Sequence, residues 1–137
     1  MSAHNEFFPW MSYYKNYHFF ETRMKTHDKV SNMKYIGDGL YHIRLSDGRI
    51  LNVFICECYA FGVAEYHESV DKLGKLDAVI INSNWCDYSL EAKMFCMEQG
   101  VGLFKIGEFM AAINRRNYWE YLTKEQKEDI ERKSKDG

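Results

Sequence analysis

Ile50-Leu51-Asn52-Val53-Phe54-Ile55-Cys56-Glu57 is the densest strand-forming run in the chain, and it ends on a carboxylate. Its β-branched and aromatic residues suit a pleated, packed surface. Immediately before it stands Ser46-Asp47-Gly48-Arg49, and Asp-Gly is the strongest short hairpin signal a sequence offers. Before that, Leu40, His42 and Arg44 alternate with Tyr41, Ile43 and Leu45, the period of a strand with one buried face. The stretch Leu40–Tyr59 is therefore predicted to be an antiparallel hairpin, with the flanking segments packed around it.

Working outward, Tyr59-Ala60-Phe61-Gly62 breaks the strand. Val63, Tyr66, Val70 and Leu73 then recur at helical spacing until Gly74, a natural helix stop. Ala78–Ile81 is short and wholly apolar, as buried central or parallel strands are. A loop over 82–86 follows, and Asp87 or Ser89 can cap the next helix. Leu90, Met94, Phe95 and Met97 supply its apolar side, with Gly100 at its end. Val101–Ile106 reads as another strand, and 108–114 opens a further helix. Thr123 to Gln126 is a capping-box pattern that starts a charged, solvated helix running to about residue 135.

Upstream, Gly37-Asp38-Gly39 is a loop, Met33–Ile36 a short strand and Thr26–Asn32 a connection. Residues 9–25 predict a helix with Pro9 in its first turn and an aromatic stripe of Trp10, Tyr14, Tyr17 and Phe20. Core packing accounts for such a stripe. The other uses for such a surface are a stacking platform for bases or self-association, and Tyr13 and Phe19, which lie off the stripe, keep a homodimer in view. A strand–helix–strand unit over 78–106 requires parallel pairing. The expected fold class is α/β: a small mixed sheet with a central antiparallel hairpin and helices on both faces.

At 137 residues with one proline and no linker composition, the chain predicts one domain spanning 1–137, with its core in 33–113. A formal net charge of −2 disfavours a strongly basic nucleic-acid coat but leaves room for a local basic groove. No apolar run approaches the ~20 residues a bilayer demands, so no membrane partner is expected. The N-terminus lacks the basic-then-apolar order of a secretory signal. Of Cys56, Cys58, Cys86 and Cys96, three sit in apolar company, which suits reduced core thiols, and the expected location is cytoplasmic. Cys56, Cys58, Cys86 and His67 lack the paired spacing of a zinc site.

With those elements in place, the chain resembles the restriction-endonuclease-like nucleases, often written PD-(D/E)xK. Asp38 opens one strand of the hairpin, and Glu57-Cys58-Tyr59 closes the next at the family's acid-x-Lys position. Asp77-Ala-Val-Ile-Ile81, the helix Leu90-Glu-Ala-Lys-Met-Phe-Cys-Met and the strand Val101-Gly-Leu-Phe-Lys-Ile106 look like the Mrr-type branch. The likeness covers about residues 33–113.

It implies a domain that acts on or binds nucleic acid, DNA in the type case, with Asp38 and Glu57 as ligands of a catalytic Mg²⁺. The family's lysine position is Tyr59 here, a side chain that is neutral at pH 7. The resemblance therefore also admits a non-catalytic protein-binding, inhibitory or assembly module. Lys72, Lys75, Arg44 and His42 are the candidates to replace the missing cation.

Each candidate has a plainer reading as well. Asp38 between two glycines suits a turn. Glu57 can be a buried acid satisfied by the backbone or by Arg44. Glu65 and Glu68 share a helix face that either borders the site or meets water. Arg115 and Arg116, followed by Tyr118 and Trp119, combine charge with rings that can grip a nucleic-acid backbone. The simpler role is as cations after a helix C-terminus.

Overall fold

The computed structural model describes residues 17–58, 60–82 and 87–136. The hairpin forms as its residues require. Strand β2 (Leu40–Leu45) pairs antiparallel with β3 (Ile50–Cys56), Leu40 lying opposite Phe54 and Arg44 opposite Ile50. Gly48 N–H donates to Leu45 O at 2.9 Å and Leu45 N–H to Arg49 O at 2.7 Å. Gly48 takes φ +95°, the left-handed position that a three-residue hairpin loop reserves for glycine.

The sheet extends further upstream than composition predicts. Strand β1 (Val30–Gly37) pairs antiparallel with β2, from Val30 opposite Leu45 to Gly37 opposite Leu40. Val30–Asn32, expected as connection, is strand. Its polar residues are on an edge strand open to water, where ladder bonds to β2 outweigh composition. Gly37-Asp38-Gly39 is thus a second hairpin turn. Asp38 (φ 55°) and Gly39 (φ 84°) both adopt the left-handed conformation of the primed turns that match sheet twist.

Helix α1 (His18–Lys25), with Tyr17 as its N-cap, leads into β1, and Tyr17, Phe20 and Met24 are buried. The predicted helix start at Pro9, with Trp10, Tyr13 and Tyr14, lies outside the described residues.

After β3 comes β4 (Ala60–Phe61), then helix α2 (Val63–Leu73), as expected. Strand β5 (Ala78–Ile81) runs parallel to β3, with Val53 beside Ala78 and Cys56 beside Ile81. A two-residue strand β6 (Asp87–Tyr88) pairs parallel with β4 in a small second sheet that the sequence did not announce. Helix α3 (Leu90–Glu98) carries the chain to β7 (Gly102–Lys105), parallel to β5. Ser89 rather than Asp87 caps α3, its Oγ accepting from Ala92 N–H at 3.0 Å.

Helix α4 (Ile106–Ala112) follows without a break. A short 3-10 turn over Tyr118–Glu120 leads to helix α5 (Lys124–Asp136). The main sheet runs β1-β2-β3-β5-β7.

Alternation along the strands builds two cores. Tyr41, Ile43, Val53, Ile55, Ile80 and Phe104 face α1 and α4, where Phe20, Met24, Phe109 and Ile113 meet them. Phe54, Cys56, Val79, Ile81 and Leu103 face α2 and α3, against Tyr66, Ala92 and Cys96. The Tyr41 hydroxyl, buried in the first core, donates to Glu21 Oε2 at 2.5 Å and ties β2 to α1. The expected α/β class is what the molecule adopts, a mixed sheet between two helical layers.

Candidate functional site

Antiparallel register decides where Asp38 and Glu57 lie. With Leu40 opposite Phe54, Gly39 falls opposite Ile55, and Ile55 N–H donates to Gly39 O at 2.8 Å. The Asp38 turn therefore abuts the end of β3, where Glu57 is the first residue beyond the strand. Asn82 N–H donates to Cys56 O at 2.9 Å, which brings the end of β5 to the same rim. Cys56 and Cys58, on either side of Glu57, both pack into the α2/α3 core.

Glu57 is only 5 % exposed, whereas Asp38 is exposed. Two hard carboxylates at one rim suit Mg²⁺, which keeps much of its water shell. Among the described residues no group of three or more His, Cys, Asp or Glu converges to form a cage, for zinc or for any other metal. Tyr59 and Cys86 lie outside the described residues.

The four cations considered as replacements for the family lysine do not gather at this rim. Arg44 lies across from Ile50, at the opposite end of the hairpin, so it cannot be the partner of Glu57 either. Lys75, whose carbonyl accepts from Asn52 Nδ2, stands at that far end too, near the last turn of α2 with Lys72. His42 is paired with Asn52 at mid-strand. A strand reaches about 3.3 Å per residue, which puts most of the length of β3 between these groups and Glu57.

Of the two candidate acids on α2, Glu65 has structural work. Glu65 Oε1 accepts from Gly62 N–H at 3.0 Å and caps the helix. His67 packs edge-on against Phe95, with ring centroids 5.2 Å apart, and Glu68 is exposed.

A second cluster, which no sequence pattern marks, lies around β7. Lys93 is fully buried in α3; its Nζ donates to Leu103 O at 2.8 Å and sits 3.8 Å from the centroid of the Phe104 ring. Burial pushes its pKa down to about 8, against the pull of Glu108 and Cys96. The same desolvation pushes the nearby Cys96 thiol up to about 12.

Next to it, Tyr88 Oη donates to Glu108 Oε1 at 2.5 Å and accepts from Gln126 Nε2 at 2.7 Å. Glu108 Oε1 also accepts from Lys105 N–H at 2.9 Å. These residues, with Asp87, Leu90 and Thr123, line a polar cleft of about 320 Å³. Since β7 is an edge strand, an ammonium capping one of its carbonyls blunts that edge. Lys93 escapes sequence reasoning because a lysine on a surface helix normally faces water.

A third feature lies at the other end of the sheet. Arg115 and Arg116 fall beyond α4, in a turn where Arg115 N–H donates to Ala112 O at 2.9 Å. With Lys29, Ser46, Asp47 and Arg49 they line an open cleft of about 310 Å³.

No protein-family model, curated protein or solved structure matches this chain. None of the helices among the described residues is long and apolar enough to cross a membrane.

Proposed function

We propose that this chain is a restriction-endonuclease-like domain of the Mrr type that acts on nucleic acid, with Asp38 and Glu57 as its acidic pair. The observation that carries the reading is the β2–β3 register, which brings two acids 19 positions apart in sequence to one rim of the sheet. The order α1, three antiparallel strands, α2 and a parallel β5 supports it, since the resemblance rests on that succession of elements.

Asp38 offers a carboxylate to solvent and Glu57 a shielded one, so a phosphate approaching the rim would meet one exposed and one buried acid. Asp38 and Glu57 would hold a Mg²⁺ ion, which would supply Lewis acidity toward a phosphoryl oxygen. The second reading, a non-catalytic nucleic-acid or protein-binding module, is favoured by Tyr59 at the lysine position. The remoteness of Arg44, Lys72 and Lys75 from the rim favours it too.

Incubation of the protein with mixed DNA and RNA substrates in Mg²⁺ or Mn²⁺ decides between them. The nuclease reading expects cleavage, reduced at least 100-fold by Asp38→Asn and by Glu57→Gln, and a metal-dependent rise in Tm lost in both variants. Asn tolerates the left-handed turn at position 38, so this variant removes charge without removing the fold. Intact substrate and a Tm indifferent to metal leave the non-catalytic module.

A further inference from the structure

Three connections meet below the α1/α4 layer, at the end of the sheet away from Asp38 and Glu57. They are the link from α1 to β1, the β2–β3 turn and the segment after α4. Each is pinned through its backbone. Ser46 N–H donates to Lys29 O at 2.8 Å, and Lys29 N–H to His27 Nδ1 at 3.0 Å. With Nδ1 accepting, the other ring nitrogen carries the proton and donates to Met110 O at 2.8 Å. Arg49 Nη1 donates to Arg116 O at 2.9 Å, and its Nε to Asp47 Oδ2 at 2.9 Å.

The consequence is an unbalanced cleft. Asp47 is the one acid among the described residues that line it, and Arg49 already occupies it through the backbone N–H and the guanidinium. Those hydrogen bonds, with the Arg116 charge nearby, hold the Asp47 carboxyl below its ordinary range. The Arg116 carbonyl is likewise taken by Arg49. Lys29, Arg115 and Arg116 are exposed, and among the described residues none of their side chains joins an ion pair. Three unspent cations thus share a cleft on a chain whose formal net charge is −2. Like charges gathered on fixed backbone repel one another until an anion joins them, so the cleft is organised for one in advance. Two guanidinium forks match phosphate oxygens in geometry as well as sign.

We infer that Lys29, Arg115 and Arg116, braced by Arg49, form a docking cleft for the phosphate backbone of a nucleic acid. The choice of nucleic acid over other polyanions rests on the function proposed above. The cleft anchors the strand at the far end of β3 from the acidic pair. It sets position and affinity and carries no base selectivity, as is general for binding through phosphates.

The test is fluorescence anisotropy of the full chain with a labelled 20-base-pair DNA duplex and with each of its single strands, from 50 to 300 mM salt. The variants are Lys29→Gln/Arg115→Gln/Arg116→Gln and a control, Lys124→Gln/Lys127→Gln/Lys133→Gln on α5, both checked by thermal melting. The cleft variant is expected to bind at least 10-fold more weakly at low salt. Its log–log salt slope on the duplex should fall by up to about 3, one for each phosphate that the variant no longer neutralises. The control should change affinity less than threefold.

Equal loss in both variants, unchanged binding in the cleft variant, or no binding by the native chain overturns the inference. So does capture of poly-glutamate in preference to nucleic acid, which would assign the cleft to an acidic protein. Cleavage assayed in parallel separates this from the nuclease reading. Binding that needs the cleft without any cleavage leaves the cleft standing alone. Cleavage that needs Asp38 but not the cleft does the reverse.

Discussion

At Gly39 the chain has no room for a side chain. A Cβ there would lie 2.5 Å from Ile55 O and 3.1 Å from the Phe54 ring, at a φ of +84° that L-residues resist. Gly39→Ala should therefore cost at least about 2 kcal/mol, read as a lower urea midpoint, because left-handed strain and displacement of β3 add together. The buried Lys93 makes a different kind of demand. Its pKa of about 8 lies below its ordinary 10.5, so between these values the unfolded chain binds more protons than the folded one. Stability then rises as pH passes through 8. Above 9 the unfolded thiol of Cys96 ionises while the folded one, pushed up to about 12, does not, and the sign reverses. Tyr41, Tyr88 and Tyr118, whose hydroxyls burial also pushes up, steepen the fall above 10. The melting temperature should peak near pH 9, with a gain of about 1 kcal/mol over pH 7. Lys93→Met should remove the rise and leave the alkaline fall. Nothing in the sequence announces either residue's constraint, since Gly39 answers to a neighbouring strand and Lys93 to an edge carbonyl 10 positions along the chain.

Among the elements, those with a single demand are the most legible. The alternation of Leu40–Leu45 and the helical spacing of Val63–Leu73 place both at their observed bounds. Helix α3 departs in detail. Its apolar residues point to Leu90, Met94, Phe95 and Met97 as the inner side, but Ala92, Lys93 and Cys96 are the buried residues, and Met94 is 36 % exposed. The helix touches both α2 and β7, so no single stripe defines its interior. Helix α5, solvated by composition, is fastened at its start. Thr123 and Gln126 form the capping box, with Gln126 N–H donating to Thr123 Oγ1 at 3.1 Å, and Gln126 also reaches the Tyr88 hydroxyl. Tyr88→Phe removes the atom that joins α5 to α4. It should cost about 1–2 kcal/mol in chemical denaturation, as lost half-buried hydrogen bonds do. Hydrogen exchange should quicken in the first turn of α5 and leave β3 unchanged.

On the scale of the molecule, the sheet order and the two helical layers follow from readable patterns, because alternating and fully apolar strands state how many faces they bury. Two things are not readable. The convergence of Lys29 and Arg49 with Arg115 and Arg116 depends on loops that meet only after the sheet closes. The pairing of β1 depends on a neighbour's free hydrogen-bonding edge, not on its own polar sequence. That strand also leaves large side chains in the open, with Tyr35 46 % and Ile36 45 % exposed at one margin of the sheet. Among the described residues no strand pairs with its outer edge, and an open row of amides invites other chains to template on it. Here the register slips twice within eight residues, between Val30 and Asn32 and again between Tyr35 and Gly37, and Lys34 stands exposed between the slips. An incoming copy would lose alignment after about three or four residues and meet an ammonium midway. The irregular margin thus acts as a guard against fibril growth, keeping a half-greasy border from becoming a seed.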